Sequence, residues 1–182
     1  MQQPNIECEI KFRFLIKDRQ AIEHICESIA VPSSVMRYWI LDFRFNQQST
    51  GIKGKKSYER IRKQKTDGVL SYMHTVKKVD ESGNTKEMEN EIPEAEAELI
   101  IRNNAYDLYK KERLECSVLG TDFGIEHRIT LAVDVMPIQK QYCYVECEVM
   151  LNANQTDCDA VRLRLADFMR YNFGYLEHIQ QF

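Results

Sequence analysis

Residues 7–14 alternate strictly between charge and apolar bulk: Glu7, Glu9, Lys11 and Arg13 interleave with Cys8, Ile10, Phe12 and Phe14. A period of two is the mark of a β-strand, whose successive side chains point to opposite faces of a sheet. The same ordering returns along the chain. Arg60 and Arg62 share a face, as do Thr75 and Lys77, Glu87, Glu89 and Glu91, Lys111 and Arg113, and Glu146 and Glu148. Asp134 stands among Ile129, Leu131, Val133 and Val135. Strands are predicted near 5–15, 36–46, 56–64, 70–79, 84–92, 108–118, 126–136 and 142–151. Thr66-Asp67-Gly68, the run 80–84 and the run 119–124 carry turn chemistry and read as connections between them.

Helical spacing is rarer. Asp18 reads as an N-cap ahead of Ile22, Ile25, Cys26 and Ile29. Pro93 opens a helix through Glu94–Arg102. From about residue 157 a C-terminal helical segment carries the stripe Val161, Leu165, Phe168 and Met169 and ends near Asn172 or Gly174. Such stripes are packing faces. Many antiparallel strands with few helices predict a mainly β, α+β fold: an antiparallel barrel with helices on its outside. The 182 residues, 43% hydrophobic and 29% charged, fit a single ordered domain over 1–182.

One strand with a polar face is ordinary, since that face can lie in solvent. Several strands that each bring like charges to one face are not, because like charges two residues apart repel unless something bridges them. A divalent cation bridges carboxylates, and a polyanion bridges lysines and arginines. The polar faces are therefore expected to point inward around a charged ligand, with the apolar faces outward beneath the helices. Arg60, Arg62, Lys77, Lys111 and Arg113 offer charge-assisted donors suited to phosphate. Glu7, Glu9, Glu146 and Glu148 offer hard oxygen ligands for Mg²⁺ or Mn²⁺.

A net charge of −3 argues against a general nucleic-acid coat. Lys53, Lys55 and Lys56 read either as a solvated loop or as a basic lip for an RNA 5′ end. The start MQQPNIECEI has neither a basic opening nor an apolar stretch, and no apolar run reaches the ~20 residues of a membrane helix. A cytoplasmic location away from membranes is expected. The six cysteines form no C-x-x-C pair and read as buried free thiols, with a zinc site as the sharper alternative. His24 and His178 fall in predicted helical regions, and His74 is expected to point out of the barrel. Tyr38, Trp39 and Phe43 read as packing or rim residues, or as a surface for stacking a base.

At these residues the chain resembles the triphosphate tunnel metalloenzymes, or CYTH domain superfamily. Glu7-Cys8-Glu9-Ile10-Lys11 resembles the family's opening E-x-E-x-K, Arg60-Ile61-Arg62 its R-x-R, and Thr75-Val76-Lys77 its T-x-K strand. The stretch from Glu87 through Glu89 to Pro93, Lys111-Glu112-Arg113, Asp134, and Glu146-Cys147-Glu148 follow in the family's order. Thr85-Lys86 stands where an arginine is usual. The resemblance covers roughly 5–150 and implies an eight-stranded antiparallel closed barrel.

By that resemblance Lys11, Arg60, Arg62, Lys77, Lys111 and Arg113 hold phosphates. Glu7, Glu9, Glu146 and Glu148 hold metal and help activate water, with Lys11 among the catalytic groups. Asp134 assists at the metal, and Glu87 and Glu89 lie on the substrate side. The expected function is metal-dependent hydrolysis of inorganic tripolyphosphate or an organic triphosphate. Alternatives are an RNA 5′-triphosphatase, an adenylate cyclase, and a tunnel that binds a triphosphate or nucleotide without turning it over. The cyclase branch tends to carry a His-Phe pair before its first motif, and none stands here.

Overall fold

The computed structural model describes residues 6–50, 56–79, 85–151, 157–176 and, as backbone, 178–181. Eight antiparallel strands close into a barrel: β1 Ile6–Leu15, β2 Met36–Ser49, β3 Lys56–Thr66, β4 Val69–Val79, β5 Thr85–Glu91, β6 Asp107–Leu119, β7 Arg128–Val135 and β8 Tyr142–Leu151. Their order around the wall is β5-β4-β3-β2-β6-β7-β8-β1, and β5 closes onto β1 through the pairs Ile6 with Lys86 and Glu7 with Thr85. A short β9, His178–Gln181, pairs with β1 beyond that closure. His178 thus sits in a strand, not in a helix as its sequence surroundings suggest. The four-residue segment is too short for periodicity to distinguish.

Register follows from alternation and from the turns. The β3–β4 hairpin turns on Asp67 and Gly68, both at positive φ (48° and 83°). That conformation suits Asp-Gly and matches the twist of the flanking strands. The 80–84 connection and Lys53 and Lys55 lie outside the described residues, while Lys56 is exposed at the start of β3. Between β6 and β7 a 3₁₀ turn, Thr121–Phe123, ends on Gly124 at φ 68°.

Three helices pack outside: α1 Arg19–Ile29, α2 Glu94–Asn103 and α3 Cys158–Phe173. A 3₁₀ turn, Ile16–Asp18, leads into α1, so Asp18 is already in the helical region and its side chain caps nothing. Pro93 is the N-cap of α2, and its carbonyl accepts from the Ala97 N–H at 3.0 Å. Asp157 caps α3 by accepting from the Ala160 N–H at 2.9 Å.

The main hydrophobic core lies between the barrel wall and these helices. Cys8, Ile10, Phe12 and Phe14 of β1 and Cys143, Val145, Cys147 and Val149 of β8 meet Leu165, Phe168, Met169 and Phe173 of α3 and Ile22 and Cys26 of α1. A smaller cluster, Phe45, Ile61, Tyr72 and Ala97, sits under α2. Each large apolar side chain buried there contributes about 1.5–3 kcal/mol. All six cysteines are buried free thiols. The apolar faces being spent on the outside, the charged faces have only the barrel interior left to fill.

Candidate active site

The inward faces enclose a cavity of about 560 Å³. Glu7, Lys11, Arg60, Arg62, Lys77, Glu87, Glu89, Lys111, Arg113, Asp134, Glu146 and Glu148 all line it. Glu9 joins through its contacts with Lys11 and Lys77. The expected metal- and phosphate-binding residues therefore meet at one place, but not all in the same group; Glu91, on the same face of β5 as Glu87 and Glu89, is exposed and is not part of the cavity lining.

The β1–β8 register sets Glu9 opposite Glu148 and Lys11 opposite Glu146. Glu7, Glu9, Glu146 and Glu148 each bring one ligand oxygen to a point where all four lie within 4.8 Å of one another. Oxygens on opposite sides of a Mg²⁺ stand about 4.2 Å apart, so a small contraction makes a hard-cation site. Glu9 Oε2 is buried without a hydrogen-bond partner; Lys11 Nζ lies 3.1 Å away but in poor hydrogen-bond geometry. A carboxylate oxygen that makes no hydrogen bond, among three other carboxylates, suits ligation of a hard cation.

The electrostatics agree. Burial raises Glu7 to about 9, against the pull of Lys77, with Glu9 and Glu87 adding to the rise. Burial and Glu146 raise Glu148 to about 7. Burial also pushes Glu146 upward, but Lys11 and Arg113 outweigh it and hold that carboxyl well below its usual range. The group thus relieves its repulsion partly with protons and partly with Lys11 and Lys77.

Asp134 stands apart from the four glutamates. Arg113 Nε and Nη2 donate to its two oxygens at 2.7 and 2.8 Å, and Lys111 Nζ donates at 2.8 Å. Arg113 Nη2 also reaches Glu146 at 3.0 Å, which ties this group to the metal-type cluster. Burial and Arg113 lower Lys111 to about 8 despite Asp134. On the β3–β4–β5 side, Lys77 bonds Glu7 at 2.8 Å, and Arg60 Nη2 bonds Glu87 at 3.0 Å. Arg60 Nε donates to the Thr75 hydroxyl at 3.1 Å, which donates to Glu89 at 2.8 Å.

β2 is the strand expected at 36–46, but its inward charges, Asp42 and Arg44, were not among the expected site residues. Asp42 is 1% exposed and accepts from Arg62 Nε and Nη2 at 2.8 and 3.2 Å. Burial alone would raise its carboxyl, yet Arg62 and Arg60 hold it far below the usual range. Arg44 contacts two rings, its guanidinium carbon 4.8 Å from the Tyr58 centroid and 4.3 Å from that of Tyr109. The signal was available: Asp42 and Arg44 alternate with Leu41, Phe43 and Phe45. Trp39 is half exposed on the outer wall, Phe43 packs edge-on against Tyr106 at 5.0 Å, and His74 faces outward beside Phe45 and Glu59.

No protein-family model and no curated protein matches the chain. Solved structures do. The PH1819 protein of Pyrococcus horikoshii is similar over 93% of this chain and 92% of its own, at 15% identity and a TM-score of 0.62. The Hippeastrum protein HpAC1, described as a candidate adenylyl cyclase with a dominant triphosphatase activity, matches over 92% and 87%, at 12% identity and 0.53. A Vibrio parahaemolyticus protein described as a candidate adenylate cyclase matches over 99% and 96%, at 13% identity and 0.57. At 15%, 12% and 13% identity these likenesses establish the fold alone, and it is the closed antiparallel barrel that the resemblance to the triphosphate tunnel proteins implies.

Proposed function

We propose that this chain is a metal-dependent triphosphate phosphohydrolase, acting over 1–182 as a single tunnel domain on tripolyphosphate or an organic triphosphate. One observation carries the reading: four carboxylates converge at a cation-type site in the same cavity as six phosphate-type cations. A simple anion receptor would be hindered by those carboxylates, whereas a metal–triphosphate complex needs both sets.

Glu7, Glu9, Glu146 and Glu148 are the residues to hold Mg²⁺ or Mn²⁺. When bound, the ion supplies neutralising charge on the phosphoryl oxygens. Lys11, Arg60, Arg62, Lys77, Lys111 and Arg113 donate to phosphate oxygens and fix the chain in line. Carboxylate oxygens of the cluster accept a hydrogen bond from water and aim it at the terminal phosphorus. The water oxygen bonds to the terminal phosphorus as the bond to the bridging oxygen breaks; pyrophosphate leaves from tripolyphosphate, or the organic diphosphate from an organic triphosphate, and a carboxylate takes up the water's proton. Asp134, Glu87 and Glu89 keep the cations at their stations. The neighbour HpAC1 is described as a triphosphatase, which supports this reaction class.

The test is phosphate release from tripolyphosphate, ATP and triphosphate-ended RNA with Mg²⁺, Mn²⁺ or a chelator. Turnover is expected to require metal and to fall at least about 100-fold in Glu146→Ala/Glu148→Ala, the loss that removal of key electrostatic groups produces. Undiminished release by that variant overturns the proposal. Tight triphosphate binding with no turnover in any metal marks a binding module instead. A substrate preference for RNA ends or cyclic product from ATP assigns the runner-up reactions. The tunnel is placed in the cytoplasm on the reading of its sequence, and no described helix is long and apolar enough to cross a membrane.

A further inference from the structure

The cavity cations differ in how fully they are already neutralised. Lys11, Arg60, Arg62, Lys77, Lys111 and Arg113 each have a carboxylate within 3.0 Å. Arg44 does not. Among the described residues the one carboxylate within salt-bridge reach of it is Asp42, at 3.9 Å, and Asp42 is committed to Arg62. The Arg44 Nε is buried without a hydrogen-bond partner. An anion entering the cavity must displace carboxylates from those six, but meets in Arg44 a guanidinium with donors to spare; Lys110, the remaining cation of the lining, is exposed, so its charge is screened by solvent. The rings of Tyr58 on β3 and Tyr109 on β6 both contact that guanidinium, which restrains it before it binds, so less side-chain freedom is lost.

Position adds the rest. Around the closed wall three strands, β3, β4 and β5, separate β2 from β1 in one direction, and three, β6, β7 and β8, separate them in the other. Arg44 therefore stands on the wall opposite the strand that carries Glu7 and Glu9. A phosphate chain held at the carboxylate cluster reaches Arg44 only by crossing the lumen.

We propose that Arg44 is the specificity-determining residue for phosphate-chain length: it binds the phosphoryl group remote from the carboxylate cluster, so a triphosphate engages it and a pyrophosphate does not. This rests on the triphosphate reading above. Sequence spacing could not isolate it, because pairing, not alternation, distinguishes Arg44 from Arg60 and Arg62.

Binding of tripolyphosphate and of pyrophosphate is to be measured by calorimetry, with Ca²⁺ in place of the activating metal, for wild type, Arg44→Gln and Arg44→Lys. Thermal melts report folding of each. Loss of one charge-assisted pair is worth about 10-fold or more in Kd. The expected result is a tripolyphosphate Kd at least about 10-fold weaker in Arg44→Gln, partly rescued in Arg44→Lys, with the pyrophosphate Kd unchanged in both. Equal weakening for both ligands, or no weakening for tripolyphosphate, overturns the role of Arg44 and leaves the phosphohydrolase reading standing. Wild type binding neither ligand, and releasing no phosphate with any metal, sinks the parent reading and this one together. A misfolded Arg44→Gln is replaced by Tyr109→Leu, which removes one of the guanidinium's ring contacts and must show the same selective loss.

Discussion

Asp42 shows how much a single buried charge can organise. Its carboxylate takes both Arg62 donors and lies 3.7 Å from Arg60. Removing one member of a buried pair leaves the other charge without a partner, at about 3–5 kcal/mol. Asp42→Ala should lower stability by about 3 kcal/mol, read as a shift in the urea midpoint at constant m-value. A shift under about 1 kcal/mol would mean that water or Glu87 takes over the guanidinium. Glu7 works in the opposite sense. Its pKa is raised to about 9, so the folded protein holds a proton that the unfolded chain releases near the ordinary carboxylate value of 4.5. The stabilisation from that proton is full below about pH 4.5 and is lost as pH climbs through about 9. In the presence of a chelator the melting temperature of wild type should fall between pH 6 and 8.5, and Glu7→Gln should flatten that fall. Equal slopes would deny Glu7 its protonated state.

At the scale of the element, β1 has two separate jobs on its two faces. Its outward Phe14 lies 6.3 Å from Phe173 of α3 and is 1% exposed, while its inward Glu7, Glu9 and Lys11 face the cavity. Phe14→Ala deletes core volume outside the wall and should cost about 3–5 kcal/mol in stability. The apparent KM for the triphosphate should stay within twofold at temperatures where the variant is folded. A large KM change would show that the helical layer controls the tunnel's shape. Alternation made both faces legible in the sequence, because the period of two is local to the strand. The helices were legible for the same reason, through their 3.6-residue stripes. β9 was not, since four residues carry no periodic signal and their pairing to β1 is decided by proximity.

At the scale of the molecule, the barrel stores opposing charges in one cavity and leaves the chain's net charge near −3. If the four-carboxylate cluster holds a divalent cation, as proposed, the tunnel's stability depends on that cation. A ligand that binds only the folded state stabilises it by about 2.7 kcal/mol at 100 times its Kd. Addition of Mg²⁺ or Mn²⁺ should raise the melting temperature, more at pH 8.5 than at pH 6, because Glu7 and Glu148 must shed protons to bind metal. Proton release on metal addition, measured by calorimetry in buffers of different ionisation enthalpy, checks the same linkage. No release, or no metal-dependent stabilisation, would count against a cation at this cluster.

The residues by themselves determined the strands, the inward choice of their charged faces and the chemistry those faces offer. Strand period, turn residues and like-charge repulsion are short-range properties, written where they act. The tertiary structure alone decided which charges meet. It set Glu9 against Glu148, gave Asp134 to Lys111 and Arg113 instead of to the four glutamates, and brought Asp42 onto Arg62. It also put Arg44 across the lumen from Glu7 and Glu9. Those meetings depend on register and on how the eight strands close, and both are properties of pairs of strands far apart in the chain.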